Sequence, residues 1–107
     1  MHRVALLASL VSVLSCSSVN PRANWVPDNG FVPDGQTAIR VAEAVWIPIY
    51  GEKAIAAERP FRAKLEDGVW LVTGSVYCTR GVLCFGGTAL AWISKRDGKV
   101  LKVTHTQ

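Results

Sequence analysis

At 107 residues the chain has room for a single domain. Half its residues are hydrophobic, gathered after the first sixteen into the short alternating and helical runs of a water-soluble globular domain. The formal charge is +4, but Arg40, Lys53, Arg59, Arg62, Lys64, Arg80, Lys95, Arg96, Lys99 and Lys102 are dispersed among acids rather than clustered. That spread argues against nucleic acid as a partner and leaves room for an acidic protein or an anionic surface.

The first element is a leader. Met1, His2 and Arg3 give a short positive start, and Val4 to Leu14 is an apolar run broken only by serines. The run is too short to span a membrane as a resident helix and has the layout of an export signal. It ends in Val13-Leu14-Ser15-Cys16, which resembles the lipobox of bacterial lipoproteins, although Leu14 stands where a smaller residue is usual. That resemblance implies a diacylated Cys16 as the mature N-terminus, with Ser17 compatible with delivery to the outer membrane. The alternative is an ordinary signal peptide cut slightly later, after Ala23. On the first reading, residues 1–16 are the signal, residues 17–30 a polar tether and residues 31–107 the domain.

Export gives the cysteines a meaning. Cys16 is lipidated or removed, which leaves Cys78 and Cys84 as an even pair in a compartment where disulfides persist. Five residues separate them, with a glycine in the middle, a spacing that suits a bridge closing a loop between strands. Such a short loop gains roughly 2 kcal/mol on the chain-entropy model. Zinc is a poor alternative, because the mature chain adds only His105 to the two thiols.

Within the expected tether Trp25 stands out, and packing back on the domain is the expectation for it. Asp34 then forms an N-cap, with Pro33 just outside. Ala38, Ile39, Ala42, Val45, Trp46 and Ile49 recur at three- and four-residue spacing, while Gln36, Arg40 and Glu43 share the opposite face. This predicts an amphipathic helix that Pro48 ends or kinks at Ile47, with Tyr50-Gly51 finishing the segment.

Strands follow. Phe61, Ala63 and Leu65 alternate with Arg62, Lys64 and Glu66, and Asp67-Gly68 is a strong two-residue hairpin signal. Placing the turn there pairs Leu65 with Trp70 and Ala63 with Val72, apolar against apolar. A third strand is expected from Thr88 to Ser94, a turn at Asp97-Gly98, and a fourth strand over residues 100–104. The fold class is α+β: one main helix packed on a curved four-stranded antiparallel sheet.

Catalysis finds little support. The only mature histidine, His105, is placed by the pattern at a strand end, as a surface or edge residue, and both mature cysteines are expected to be oxidised. Glu66 faces outward and Asp67 lies in a turn, so they form no acid–base pair. Gly86-Gly87 lacks the strand–turn–helix setting of a phosphate loop. Neither a cofactor nor a metal is expected. Trp46, Trp70 and Trp92 are expected to fill the core under the helix. With Trp70 inward, Val69 and Leu71 fall on the opposite face beside Arg62 and Lys64, a candidate docking surface for a protein.

Three blocks, TAIRVAEAVWIPIYGE (residues 37–52), RPFRAKLEDGVWLVTGSV (59–76) and GGTALAWISKRDGKVLKVTH (86–105), resemble the bacterial immunity-protein family with a nuclear-transport-factor-2-like fold. The resemblance implies a cystatin-like cone, here in reduced form, and a role in polymorphic-toxin systems: binding a cognate toxin domain and blocking it. Combined with the leader, the expectation is a periplasmic, membrane-tethered immunity protein. The alternatives are an envelope lipoprotein with a structural or binding role, or an inhibitor of a wall-degrading enzyme such as lysozyme. An enzyme of the ketosteroid-isomerase type, which shares the broader fold, trails both.

Overall fold

A computed structural model describes residues 25–76 and 87–106. Cys16, Cys78 and Cys84 lie outside the described residues, so the lipidation and disulfide expectations do too. The element order is α1 (Gly35–Tyr50), α2 (Glu52–Ala56), β1 (Arg62–Glu66), β2 (Val69–Thr73), β3 (Ala89–Ser94) and β4 (Val100–His105). The strands form one antiparallel sheet in the order β1-β2-β3-β4, with α1 laid across one face. The α+β arrangement expected from the sequence is the one observed.

Asp34 caps α1: its Oδ1 accepts from the Thr37 amide at 2.8 Å and from the Thr37 hydroxyl at 2.7 Å. These bonds occupy donors that the first helical turn cannot satisfy internally. The helix does not end at Ile47. It carries Pro48 within it and closes with the Gly51 amide donating to Ile47 O at 2.8 Å. A proline here costs the bond to the carbonyl one turn back, and the next turn still closes. Gly51, at φ 97°, takes a conformation other residues rarely adopt and ends the helix. The sequence reading missed the one-turn α2, which places Ile55 in the core, and put Ile49 on the apolar face, where it is 57% exposed.

The first hairpin has the expected register: Leu65 faces Trp70 and Ala63 faces Val72, around Asp67 (φ 50°) and Gly68 (φ 75°). Two successive positive φ values give the turn a twist that matches the flanking strands. Across β2 and β3, Trp70 pairs with Ile93 and Leu71 with Trp92. This register corrects one expectation. Ile93 shares the face of Trp70 and is fully buried under α1, whereas Trp92 shares the face of Leu71 and lies outside the core.

The core is built from Ala38, Ala42 and Trp46 of α1, Ile55 of α2, Val32, and the inward residues Trp70, Val72, Ala89, Ala91 and Ile93. Alanines on both surfaces let helix and sheet approach closely, and the two inward indoles fill the remaining depth. Their polar edges are satisfied: Trp70 Nε1 donates to Val32 O at 2.8 Å and Trp46 Nε1 to Leu90 O at 3.3 Å. Residues 29–32 are held against the β3–β4 turn. Phe31 and Val32 amides donate to Arg96 O and Lys95 O, both at 3.0 Å, and Lys95 Nζ donates to Asn29 O at 2.6 Å.

Candidate functional site

Alternation along four paired strands sends every second side chain to the side away from α1. The register gathers them into cross-strand rows: Arg62, Thr73, Leu90 and Thr104 in one, and Lys64, Leu71, Trp92 and Lys102 in the next. Glu66, Val69 and Ser94 follow toward the turns. The four residues singled out from the sequence, Arg62, Lys64, Val69 and Leu71, thus share one face. Val69 and Leu71 line an open depression of about 570 Å³ with Glu66, Trp92, Leu101 and Lys102. Lys64 pairs across the strand from Leu71, and Arg62 stands two positions farther along, beside a separate polar hollow with Thr73, Ser75 and Thr88.

Three contributors were not anticipated: Trp92, Leu101 and Lys102. Lys102 Nζ lies 5.1 Å from the Trp92 ring centroid, over its face, and Trp92 pairs across the strand with Leu71. Leu101 is 49% exposed. It sits at the irregularity in the β3–β4 register, between Val100, paired with Ile93, and Lys102, paired with Trp92. The extra residue of a bulge has no partner across the ladder, and here it lies at the rim of the depression. The middle row is therefore an apolar pair, Leu71 and Trp92, with a lysine at each end. Carboxylates stand only at the turn end, on Glu66 and Asp67.

A second cluster lies at the other end of the sheet. Glu58, whose side chain is 13% exposed, accepts from the Ala89 amide at 2.7 Å through Oε1 and contacts His105 Nε2 at 3.0 Å through Oε2. His105 Nδ1 faces Thr106 O at 2.8 Å, and the ring packs against Tyr50 with centroids 5.3 Å apart. His105 ends an edge strand, as expected, but it is tied into the structure rather than free. The ring faces an oxygen at each nitrogen, at Thr106 O and at Glu58 Oε2. The cluster clamps the start of β3 and the end of β4 to the loop after α2. A lone glutamate in Glu-Arg-Pro gives no sequence pattern from which this role could be read.

Two carboxyls are held below the usual aspartate range. The Thr37 amide and hydroxyl do this at Asp34, and the Lys99 amide, then the Ser94 side chain, at Asp97. Both lie at element ends, away from the outward face. Among the described residues no group of three or more His, Cys, Asp or Glu could hold a metal ion, and no helix is long and apolar enough to cross a membrane.

A family model described as NTF2 fold immunity protein matches residues 37–107, which takes in nearly all of α1, α2 and every strand. The three blocks quoted from the sequence begin at the first matched residue and fall entirely inside this span. No curated protein and no solved structure matches the chain.

Proposed function

We propose that this chain, which belongs to the NTF2-fold immunity protein family, neutralises its toxin by laying the outward face of the sheet over it on the periplasmic side of a bacterial membrane. A toxin-neutralising role in general comes with the family. The observation that carries the docking face is the row Lys64–Leu71–Trp92–Lys102, an uncovered apolar pair between two cations. Aromatic side chains in such settings anchor interfaces, and flanking charges steer the approach. The partner surface that fits presents an apolar anchor between carboxylates. Location and tethering rest on residues 1–16, an export signal ending in a lipobox-like Cys16. An inhibitor must meet its toxin where the toxin acts, so an exported inhibitor implies a target in the envelope. The protein acts by binding, with Cys78 and Cys84 joined as a disulfide.

The test is purification of the chain, tagged at its C-terminus and made from its own leader in its native host. A stoichiometric partner carrying a toxin domain is expected, and Leu71→Asp is expected to release it. If no partner carrying a toxin domain co-purifies, the immunity reading fails in favour of a general envelope lipoprotein or an inhibitor of a wall-degrading enzyme. Thiol labelling of the same material checks the bridge: labelling of Cys78 and Cys84 without prior reduction would exclude it.

A further inference from the structure

Two aromatic side chains stand in the open outside the docking face. Trp25 is 59% exposed and Phe31 49% exposed, and they meet edge to face with centroids 6.3 Å apart and an interplanar angle of 87°. The expectation that Trp25 packs back on the domain is met only in this sense, because its one aromatic neighbour is itself exposed. The pair stands on a fixed base. Phe31 and Val32 are hydrogen-bonded to Arg96 and Lys95, and the Gly30 amide donates to Pro27 O at 2.8 Å. A Cβ at Gly30 would fall 2.2 Å from Lys95 O, so the backbones there are in close contact. Lys95 and Arg96 stand beside the base together with Asp28, a mixed set of charges.

This composition does not suit an anion site. An exposed amphipathic indole backed by an apolar ring, in a mixed polar setting, suits the interfacial zone of a bilayer, where tryptophan concentrates at headgroup depth. The chain length points the same way. Eight residues, 17–24, separate Cys16 from Trp25. Fully extended they reach about 30 Å, and as a coil about 17 Å. A domain held on so short a lead keeps its aromatic pair within reach of the surface at high effective concentration.

We infer that Trp25 and Phe31 seat in the headgroup zone of the membrane to which the chain is anchored, fixing the turn end of the sheet toward the lipid. The inference rests on the lipid-anchor reading of Cys16. Its consequence is orientation: the depression at the turn end of the docking face lies nearest the bilayer, and the Arg62–Leu90 row lies farthest from it.

The experiment uses the full chain made from its own leader, extracted from the envelope and reconstituted in vesicles of phosphatidylethanolamine and phosphatidylglycerol brominated near the headgroup. Trp46 and Trp70 are buried in the domain, so quenching reports on Trp25, with Trp92 as the second candidate. Strong quenching is expected in the parent chain, falling to background in Trp25→Phe and markedly reduced in Phe31→Asp. Mass spectrometry of the N-terminal peptide separates the two layers of the argument. With Cys16 acylated and the protein vesicle-bound, equal quenching in the parent and Trp25→Phe overturns the membrane contact and leaves the anchor standing. An unacylated N-terminus overturns the anchor and the contact with it. Protection of Trp25 only on addition of the toxin assigns the pair to a protein interface and overturns the proposal.

Discussion

Replacing Ile93 and Trp92 by alanine, one at a time, separates the two faces of β3. Ile93 has no exposed surface, so its substitution removes three buried carbons and leaves a cavity between α1 and the sheet. At about 0.8 kcal/mol per methylene plus a cavity contribution, the expected loss is about 3–4 kcal/mol. Trp92 is half-buried, and its contacts are the Lys102 ammonium and the cross-strand Leu71. Each such contact contributes on the order of 0.5–1 kcal/mol, so Trp92→Ala loses about 1–2 kcal/mol. With a urea m-value of about 1 kcal/mol/M for a chain of this size, the midpoint falls by about 3–4 M in Ile93→Ala and about 1–2 M in Trp92→Ala. Binding is expected in the opposite order. Trp92→Ala weakens the toxin complex by about 30-fold, a loss of about 2 kcal/mol. Ile93→Ala, measured cold and without denaturant, binds as the parent does. A Trp92→Ala midpoint below that of Ile93→Ala would refute the face assignment, and unchanged toxin affinity in Trp92→Ala would refute the docking site.

The double substitution Lys64→Glu with Lys102→Glu is expected to slow toxin association by about tenfold or more at low salt, with added salt narrowing the gap, as stopped-flow measurements would show. Glu58→Ala leaves the Ala89 amide without its acceptor and His105 without its partner; a loss of about 1–3 kcal/mol is expected in urea unfolding, with Glu58→Gln losing less. Gly74→Ala is expected to lower the thermal midpoint, because its Cβ would fall 2.5 Å from Glu58 Oε1 and 2.8 Å from Glu58 Cβ. The depressed carboxyls predict an acid limb. Folded-state values below the unfolded ones mean the contribution of Asp34 and Asp97 is complete above about pH 5 and is lost as pH falls through the depressed values. Asp34→Asn keeps a competent cap but cannot titrate, so its urea midpoint should fall less steeply between pH 5 and pH 3.

Much of the fold was legible because local signals agreed with the global pattern. Asp34 announces the helix start, and Asp67-Gly68 fixes a register that pairs like with like. The third strand defeated the same logic. Ala89 to Ser94 is apolar at five of six positions, so a period of two has no visible phase, and only pairing with β2 decides which residue faces in. Trp92, expected in the core, faces out, and Ile93 faces in. Pro48 does not end the helix, because local bias against it is outweighed by a packed apolar face, and the helix finishes at Tyr50-Gly51 as the sequence pattern has it. The docking face was half legible: Val69 and Leu71 follow from Trp70, whereas Trp92, Leu101 and Lys102 depend on pairings between strands distant in sequence. Glu58 was not legible at all, since its partners lie 31 and 47 residues away.

The hydrogen bonds of Val32 set an order of events. Its carbonyl is held by Trp70 and its amide by Lys95, so the residue leading into α1 waits on a tryptophan 38 positions later and on the turn between the last two strands. While the ribosome is still adding the final hairpin, the Val32 amide has no acceptor to close against. Contacts this distant in sequence form slowly and late. The same dependence makes a truncated product without the final hairpin a target for quality-control proteases.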